Sequence, residues 1–210
     1  MNVEFTYAQH QGARDYQQDD AICFEHKGAQ WFVICDGLGW HKDSGIAASD
    51  AVHMFREQIC LDRWPEEIFS DINKTFNTRW RGFSTVQPAT TITAIKFVND
   101  TVHSFWVGDS PAFIVGKLHD DQDDEFITFT KMLAGYGHGL DNRLLYCLGA
   151  QCQDNMGYSM TENVGKIIIG SDGILPIVGS NPFVPKTAND IVEYCTNLPG
   201  SDNVTCFVVN

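Results

Sequence analysis

The sequence predicts an α+β domain in which layered antiparallel sheet carries helices on its faces. Three observations lead there: a series of short apolar stretches rich in β-branched and aromatic residues, a turn pair at Asn99-Asp100 between two of them, and separate stretches of helical periodicity. Asn99-Asp100 tolerates positive φ, so the stretches it joins pair as a tight antiparallel hairpin. Many strands with a few helices suit helices packed on sheet faces. At 210 residues and 43% hydrophobic content, the chain is long enough for one substantial core and short for two. No repeat or Pro/Ser-rich linker divides it, so residues 1–210 are expected to form one domain.

In chain order, strand patterns fall on VEFTYA, DAICFE and WFVIC near the start, then on TTITAIKFV, TVHSFWVG, AFIVGKL and EFITFT, and finally on GKIIIG and VTCFVV. Helical spacing runs from about Gly45 to Cys60, where Ala47, Ala51, Met54 and Phe55 share a face. It recurs after Pro65 with Ile68, Phe69, Ile72 and Phe76. A third helix is expected after Thr187, burying Ile191, Val192 and Cys195.

Charge narrows the function. A formal net charge of −13 argues against nucleic acid or an anionic membrane as the main partner and favours cations. The cysteines at 23, 35, 60, 147, 152, 195 and 206 include no Cys-x-x-Cys pair and sit mostly in strand-like runs, the pattern of buried free thiols in a reducing cytosol. The start MNVEFTYAQH has no basic segment followed by an apolar one, and no apolar run approaches membrane-spanning length. A soluble cytoplasmic protein is expected.

Four aspartates stand at strand edges: Asp36 after WFVIC, Asp109 after SFWVG, Asp172 after KIIIGS, and Asp202 before VTCFVV. Alone, each Asp-Gly or Asp-Asn pair reads as a turn. Together they read differently: a sheet holds each carboxylate while its oxygens project into the loop layer, an arrangement suited to a hard divalent cation. Gly37 and Gly173 leave room for a backbone carbonyl to approach an ion.

These segments, in this order, resemble the protein phosphatase 2C family of metal-dependent serine/threonine phosphatases. RDYQQD (14–19) is similar to its entry motif, DGLGWHKDSGIAAS (36–49) to its Asp-Gly-x-Gly-Gly-His segment, and ATTITAI (89–95) to its Gly-Thr-Thr strand. WVGDSPAFIV (106–115) resembles its Val-Gly-Asp-Ser-Arg hairpin, while GSDGI (170–174) and DNVTCFVV (202–209) resemble its two late metal motifs. The resemblance implies a four-layer α-β-β-α sandwich of two mostly antiparallel sheets flanked by helices, with two Mn²⁺ or Mg²⁺ ions at one end. It implies that Asp36 bridges both ions, Gly37 offers a carbonyl, Asp172 and Asp202 complete one site, Asp19 serves the other, and Arg14 binds substrate phosphate. A hydroxide between the cations would attack phosphorus in line, with no side-chain nucleophile. Asp109 and Asp172 match two ligands of a weaker third ion; Pro176 stands where some members have another aspartate, leaving Asp141 as a substitute. The implied partner is a phosphorylated protein in signalling that opposes a protein kinase, and the enzyme is expected to act as a monomer.

Competing chemistries lack their signatures. No cysteine is followed six positions later by arginine, no Gly-x-Ser-x-Gly elbow surrounds Ser110, and His41 has no helical His-x-x-x-His partner, leaving it a local hydrogen-bonding role. The chain departs from the family at Gln17, Gln18, Leu38, Trp40 and Pro111, and its acidic HDDQDDEF stretch (119–126) reads as a solvated hairpin end. Two alternatives therefore accompany the protein phosphatase: a pseudo-phosphatase binding module, and a phosphatase of the same fold acting on small phosphoesters. Retention of the carboxylates favours activity, because such a cluster without cations repels itself.

Overall fold

The strand Ala29–Asp36 is apolar on both sides along its middle: Trp31, Val33 and Cys35 pack on one side and Phe32 and Ile34 on the other. A strand buried on both faces belongs at the centre of a layered structure. The computed structural model describes residues 3–39, 41–81, 87–119, 125–134, 144, 146–150, 155–162, 165–177 and 185–210. Its elements are β1 (Phe5–His10), β2 (Asp19–His26), β3 (Ala29–Asp36), α1 (Ser44–Cys60), α2 (Pro65–Arg79), β4 (Ala89–Thr90), β5 (Ile92–Val98) and β6 (Thr101–Val107). There follow β7 (Ala112–His119), β8 (Glu125–Ala134), β9 (Leu148–Gly149), β10 (Gly157–Glu162), β11 (Ile167–Gly170), a 3₁₀ turn (Asp172–Ile177), α3 (Ala188–Thr196) and β12 (Val204–Val209).

Two five-stranded antiparallel sheets result, ordered β1-β12-β11-β7-β8 and β10-β6-β5-β3-β2, with β4 and β9 forming a small extra pair. Alternation along the strands sorts side chains into three apolar layers. Phe32, Ile34, Ile95, Ile167, Ile169 and Phe207 meet between the sheets. On the far side of the β3 sheet, Trp31, Val33, Ile92 and Phe105 pack against Ala51, Phe55, Ile68, Phe69 and Phe76 of α1 and α2. Beyond the other sheet, Ile168, Val204, Cys206 and Val208 pack against Ile191 and Cys195 of α3. This is the four-layer sandwich.

Local chemistry sets the helix limits. Pro65 opens α2 with Glu66 and Glu67 in its first turn and Arg79 in its last, matching the helix dipole at both ends. Thr187 caps α3 through a reciprocal box: its hydroxyl accepts from Asp190 N–H, and the Asp190 carboxylate accepts from Thr187 N–H at 2.8 Å. Met54 lies at the edge of the apolar face of α1 and is only half-buried.

The hairpin at Asn99-Asp100 forms as expected, Val98 facing Thr101 with Asn99 at φ 53°. The Gly-Asp-Ser segment does not form one. β6 and β7 lie in different sheets, so residues 108–111 cross between them. Ser110 fixes that crossing: its Oγ is 2.6 Å from Thr91 Oγ1, and its carbonyl accepts from Thr93 Oγ1 at 2.7 Å. Turn-forming residues specify a reversal, but the sheet that receives the next strand is decided by packing.

Phe32 is fully buried and its ring meets Phe5, Phe97 and Phe207 with centroids 5.1, 5.5 and 5.2 Å away. Phe32→Ala is expected to cost about 3–5 kcal/mol, read as a lowered midpoint in denaturant. A loss below about 1 kcal/mol would mean that the two sheets do not depend on this contact.

Candidate active site

β2 begins and β3 ends at the same edge of the sandwich, and their antiparallel register sets Asp19 directly opposite Asp36. Like charges so paired destabilise a sheet, so this placement needs a compensating reason. The backbone of Asp36 is firmly held. Its N–H donates to Thr91 Oγ1 at 3.1 Å, and its carbonyl accepts from Thr91 N–H and Thr90 Oγ1, both at 2.9 Å. Its carboxylate remains to face the loop layer, where Asp172 N–H donates to Oδ2 at 3.4 Å. Asp172 enters from the other sheet, after β11, and Asp202 from the same sheet just before β12. Asp109, 7% exposed, lies on the crossing between the sheets.

The neighbouring backbone closes tightly. A Cβ on Gly37 would stand 2.6 Å from the carbonyl oxygens of both Gln18 and Ser44, and one on Gly173 would stand 2.0 Å from that of Asn203. Carbonyls of this chain thus occupy the space that these glycines leave, a packing requirement additional to any role with an ion.

Asn203 is a positioning residue that sequence reasoning leaves without a role. Buried beside Asp202, it accepts from Gln18 N–H at 2.9 Å and donates to the carbonyls of Gln11 at 2.7 Å and Tyr16 at 2.9 Å. It therefore ties the loop carrying Arg14 to the start of β12. The Asp-Asn pair before a strand was its one sequence signal, and that pair equally describes a turn.

Electrostatics single out Asp19. It is 6% exposed, and among the described residues neither carboxylate oxygen has a hydrogen-bond partner. Burial, reinforced by Asp172 and Asp202, pushes its pKa up to about 7; the Thr205 and Ser171 hydroxyls oppose the rise without reaching hydrogen-bond geometry. Asp36 is pushed well above the carboxylate range by burial and then by Asp19, Asp172 and Asp109. Asp172 rises to about 6 through burial, Asp109 and Asp202, eased by Asp36 and Arg14. Arg14 is half-exposed at the mouth, where its Nη2 pairs with Asp202 Oδ2; that hydrogen bond is the main cause of its raised pKa.

A buried carboxylate without a donor, among other carboxylates, is a hard-oxygen set suited to Mg²⁺ or Mn²⁺. The cage is not preformed: among the described residues no three acidic, imidazole or thiol groups converge as a metal site, and Asp202 is engaged by Arg14.

Other expected residues have local duties. Gln17 Oε1 accepts from Asp19 N–H at 3.1 Å, and Gln18 Nε2 donates to the His41 carbonyl at 2.7 Å. His41 Nδ1 accepts from Asp43 N–H at 3.1 Å, the local role expected of it. Cys35, Cys147, Cys195 and Cys206 are buried free thiols, while Cys60 is exposed. Pro176 lies inside the 3₁₀ turn. Trp40, Asp141, Cys152 and acidic residues 120–124 lie outside the described residues.

Comparison with known proteins bears on the family and the fold. The Protein phosphatase 2C family pattern matches residues 8–198. The chain belongs to the protein phosphatase 2C family, whose members are hydrolases of the serine/threonine phosphatase class. No curated protein matches it. Among solved structures it is similar to the S. agalactiae serine/threonine phosphatase, with TM-score 0.79 and 17% identity over 99% of each chain. Serine/threonine phosphatase Stp1 from Staphylococcus aureus gives TM-score 0.79 and 16% identity over 100% of this chain and 95% of that one. PppA, a key regulatory component of T6SS in Pseudomonas aeruginosa, gives TM-score 0.76 and 16% identity over 100% and 98%. At such identities the likeness establishes a shared fold.

The raised values carry a sign. Between the ordinary carboxylate range and about pH 7, folded metal-free protein holds protons on Asp19 that the unfolded chain has released, so this residue makes stability fall as pH rises. Asp19→Asn is therefore expected to melt above the native chain in chelator, by a margin that widens from about pH 5 to about pH 7. Mn²⁺ should raise the melting temperature of the native chain more than that of the variant. A pH-independent margin would count against the buried, unpartnered carboxylate.

Proposed function

We propose that residues 1–210 act as one catalytic domain that removes phosphate from phosphoserine and phosphothreonine in proteins, using two Mn²⁺ or Mg²⁺ ions. The observation that carries this reading is the Asp19–Asp36 pair, two carboxyl groups opposed at a strand edge, with no hydrogen bond to the Asp19 carboxyl oxygens among the described residues. We assign Asp19, Asp36, the Gly37 carbonyl, Asp172 and Asp202 as ligands, with Asp36 shared. When bound, the two cations supply a hydroxide nucleophile at neutral pH and offset the charge of the phosphate.

The chain's own residues orient the substrate. Arg14, half-exposed at the mouth beside Asp202, would offer a planar fork to two phosphate oxygens. Asn203 keeps the Arg14 loop in register with that carboxylate. Asp109 and Asp172 form a weaker third site, because two carboxylates gain little against the hydration of Mg²⁺. Buried free thiols suit a reducing cytoplasm, and no helix among the described residues is long and apolar enough to cross a membrane. We assign the protein to signalling as a monomer opposing a protein kinase.

A phosphopeptide assay with added Mn²⁺ tests the reading. Asp36→Asn is expected to lower turnover by about two orders of magnitude or more while remaining folded, the scale of losing a central electrostatic contributor. Full activity in the folded variant would sink the metal assignment, and an inactive native chain that binds Mn²⁺ tightly would identify a pseudo-enzyme. Arg14→Ala should weaken substrate binding with metal content unchanged, and Arg14→Lys should restore only part of it. Unchanged steady-state constants in Arg14→Ala would reduce Arg14 to an ion pair. The product should be free inorganic phosphate; a phosphorylated cysteine or serine on the chain would overturn the mechanism.

A further inference from the structure

A cavity of about 270 Å³ opens around Trp31, at the opposite end of β3 from Asp36. Trp31 lies five residues before Asp36, about 17 Å along an extended strand, and no part of the proposed reaction uses this cavity. Two buried rings, Trp31 and Phe105, line it with centroids 6.1 Å apart. Trp64 adds a third ring, edge-on to Phe105 at 5.7 Å, yet is itself 54% exposed. Trp64 occupies the N-cap of α2 and makes no side-chain cap. A short polar residue would serve the helix better there.

The charge around these rings runs against the rest of the chain. Lys27, Arg63 and Lys96 line the cavity with one carboxylate, Asp62, in a protein of net charge −13. Asp62 is taken by Lys27 and by His26, and Arg63 is held by Asp71 at 2.7 Å. Lys96 has no carboxylate partner among the described residues, and its Nζ sits 5.6 Å from the centroid of the Trp31 ring. The ammonium lies over the Trp31 ring as a cation–π contact and makes no ion pair among the described residues, so its remaining N–H groups can meet an anion.

We propose that this cavity binds a small planar aromatic molecule bearing one anionic group, its ring against the exposed Trp64 and its anion on Lys96, which Trp31 holds in place from below. The volume is near the lower bound of ligand pockets and suits one fused ring system better than a peptide. Cationic neighbours already paired to Asp62 and Asp71 add long-range attraction, while Lys96 supplies the direct contact. The site is independent of the phosphatase chemistry.

Calorimetry on the full chain in chelator tests this with 1-naphthoate and its neutral analogue 1-naphthamide, carboxyl derivatives that offer the phosphate site no ester. Naphthoate is expected to bind one saturable site, at least about tenfold more tightly than naphthamide, a ratio typical of one charge-assisted contact. Lys96→Ala should remove most of the preference for naphthoate, leaving the two probes within about threefold, and Lys96→Arg should retain most of it. Trp64→Ala should weaken both probes; Trp64 is exposed, and an unchanged melting temperature would verify the fold. Absence of a saturable site, equal affinity of the two probes for the native chain, or unaltered naphthoate binding in both alanine variants would overturn the proposal. Phosphopeptide turnover with Mn²⁺, measured separately, keeps failure here distinct from failure of the phosphatase reading.

Discussion

Mutual repulsion among carboxylates at one end of the sandwich is the constraint around which the rest of the structure is arranged. Asp19 and Asp36 arrive on paired strands of one sheet, Asp172 and Asp202 on loops of the other, and Asp109 on the crossing between them. Left free, these side chains would splay into water. They are kept together because the strands behind them are buried on both faces, so moving a carboxylate outward would expose Phe32, Ile34, Ile169 or Phe207. Apolar packing thus holds charges where their own interaction is unfavourable, the condition under which a cation gains most.

Polar contacts then make the arrangement specific. Thr90 and Thr91 hold the Asp36 backbone, Ser110 fixes the crossing that carries Asp109, and Asn203 binds the Arg14 loop to the start of β12. At the mouth of the site the Arg14 guanidinium pairs with Asp202. The same pairing keeps the phosphate-binding group of the proposed reaction at the mouth of the site.

What the sequence revealed depended on how local each signal is. β3, β5 and β12 were legible because β-branched and aromatic residues fill both faces, and α2 because Pro65 and four apolar residues at helical spacing define it. β10 was not, since GYSMTE leaves Tyr158 and Met160 exposed at a sheet edge and no apolar face marks it. The short β4–β9 pair and the 3₁₀ turn around Pro176 are too brief for periodicity to register. At the site, position relative to a strand revealed the aspartates. The Asn203 contacts and the Arg14–Asp202 pair join residues nearly the whole chain apart, and neither is written in local spacing.

The crossing at Gly108–Pro111 has a mechanical implication. With the carboxylates divided between two sheets that touch mainly through interleaved aromatic and aliphatic side chains, their spacing depends on how one sheet sits over the other. Any shear of the stack would alter Asp36–Asp172 separation without breaking a strand pairing, whereas Asp19–Asp36 separation, set by register within one sheet, would remain. The centre therefore combines one rigid gauge and one compliant gauge, and the inter-sheet aromatics around Phe32 determine how stiff the compliant one is.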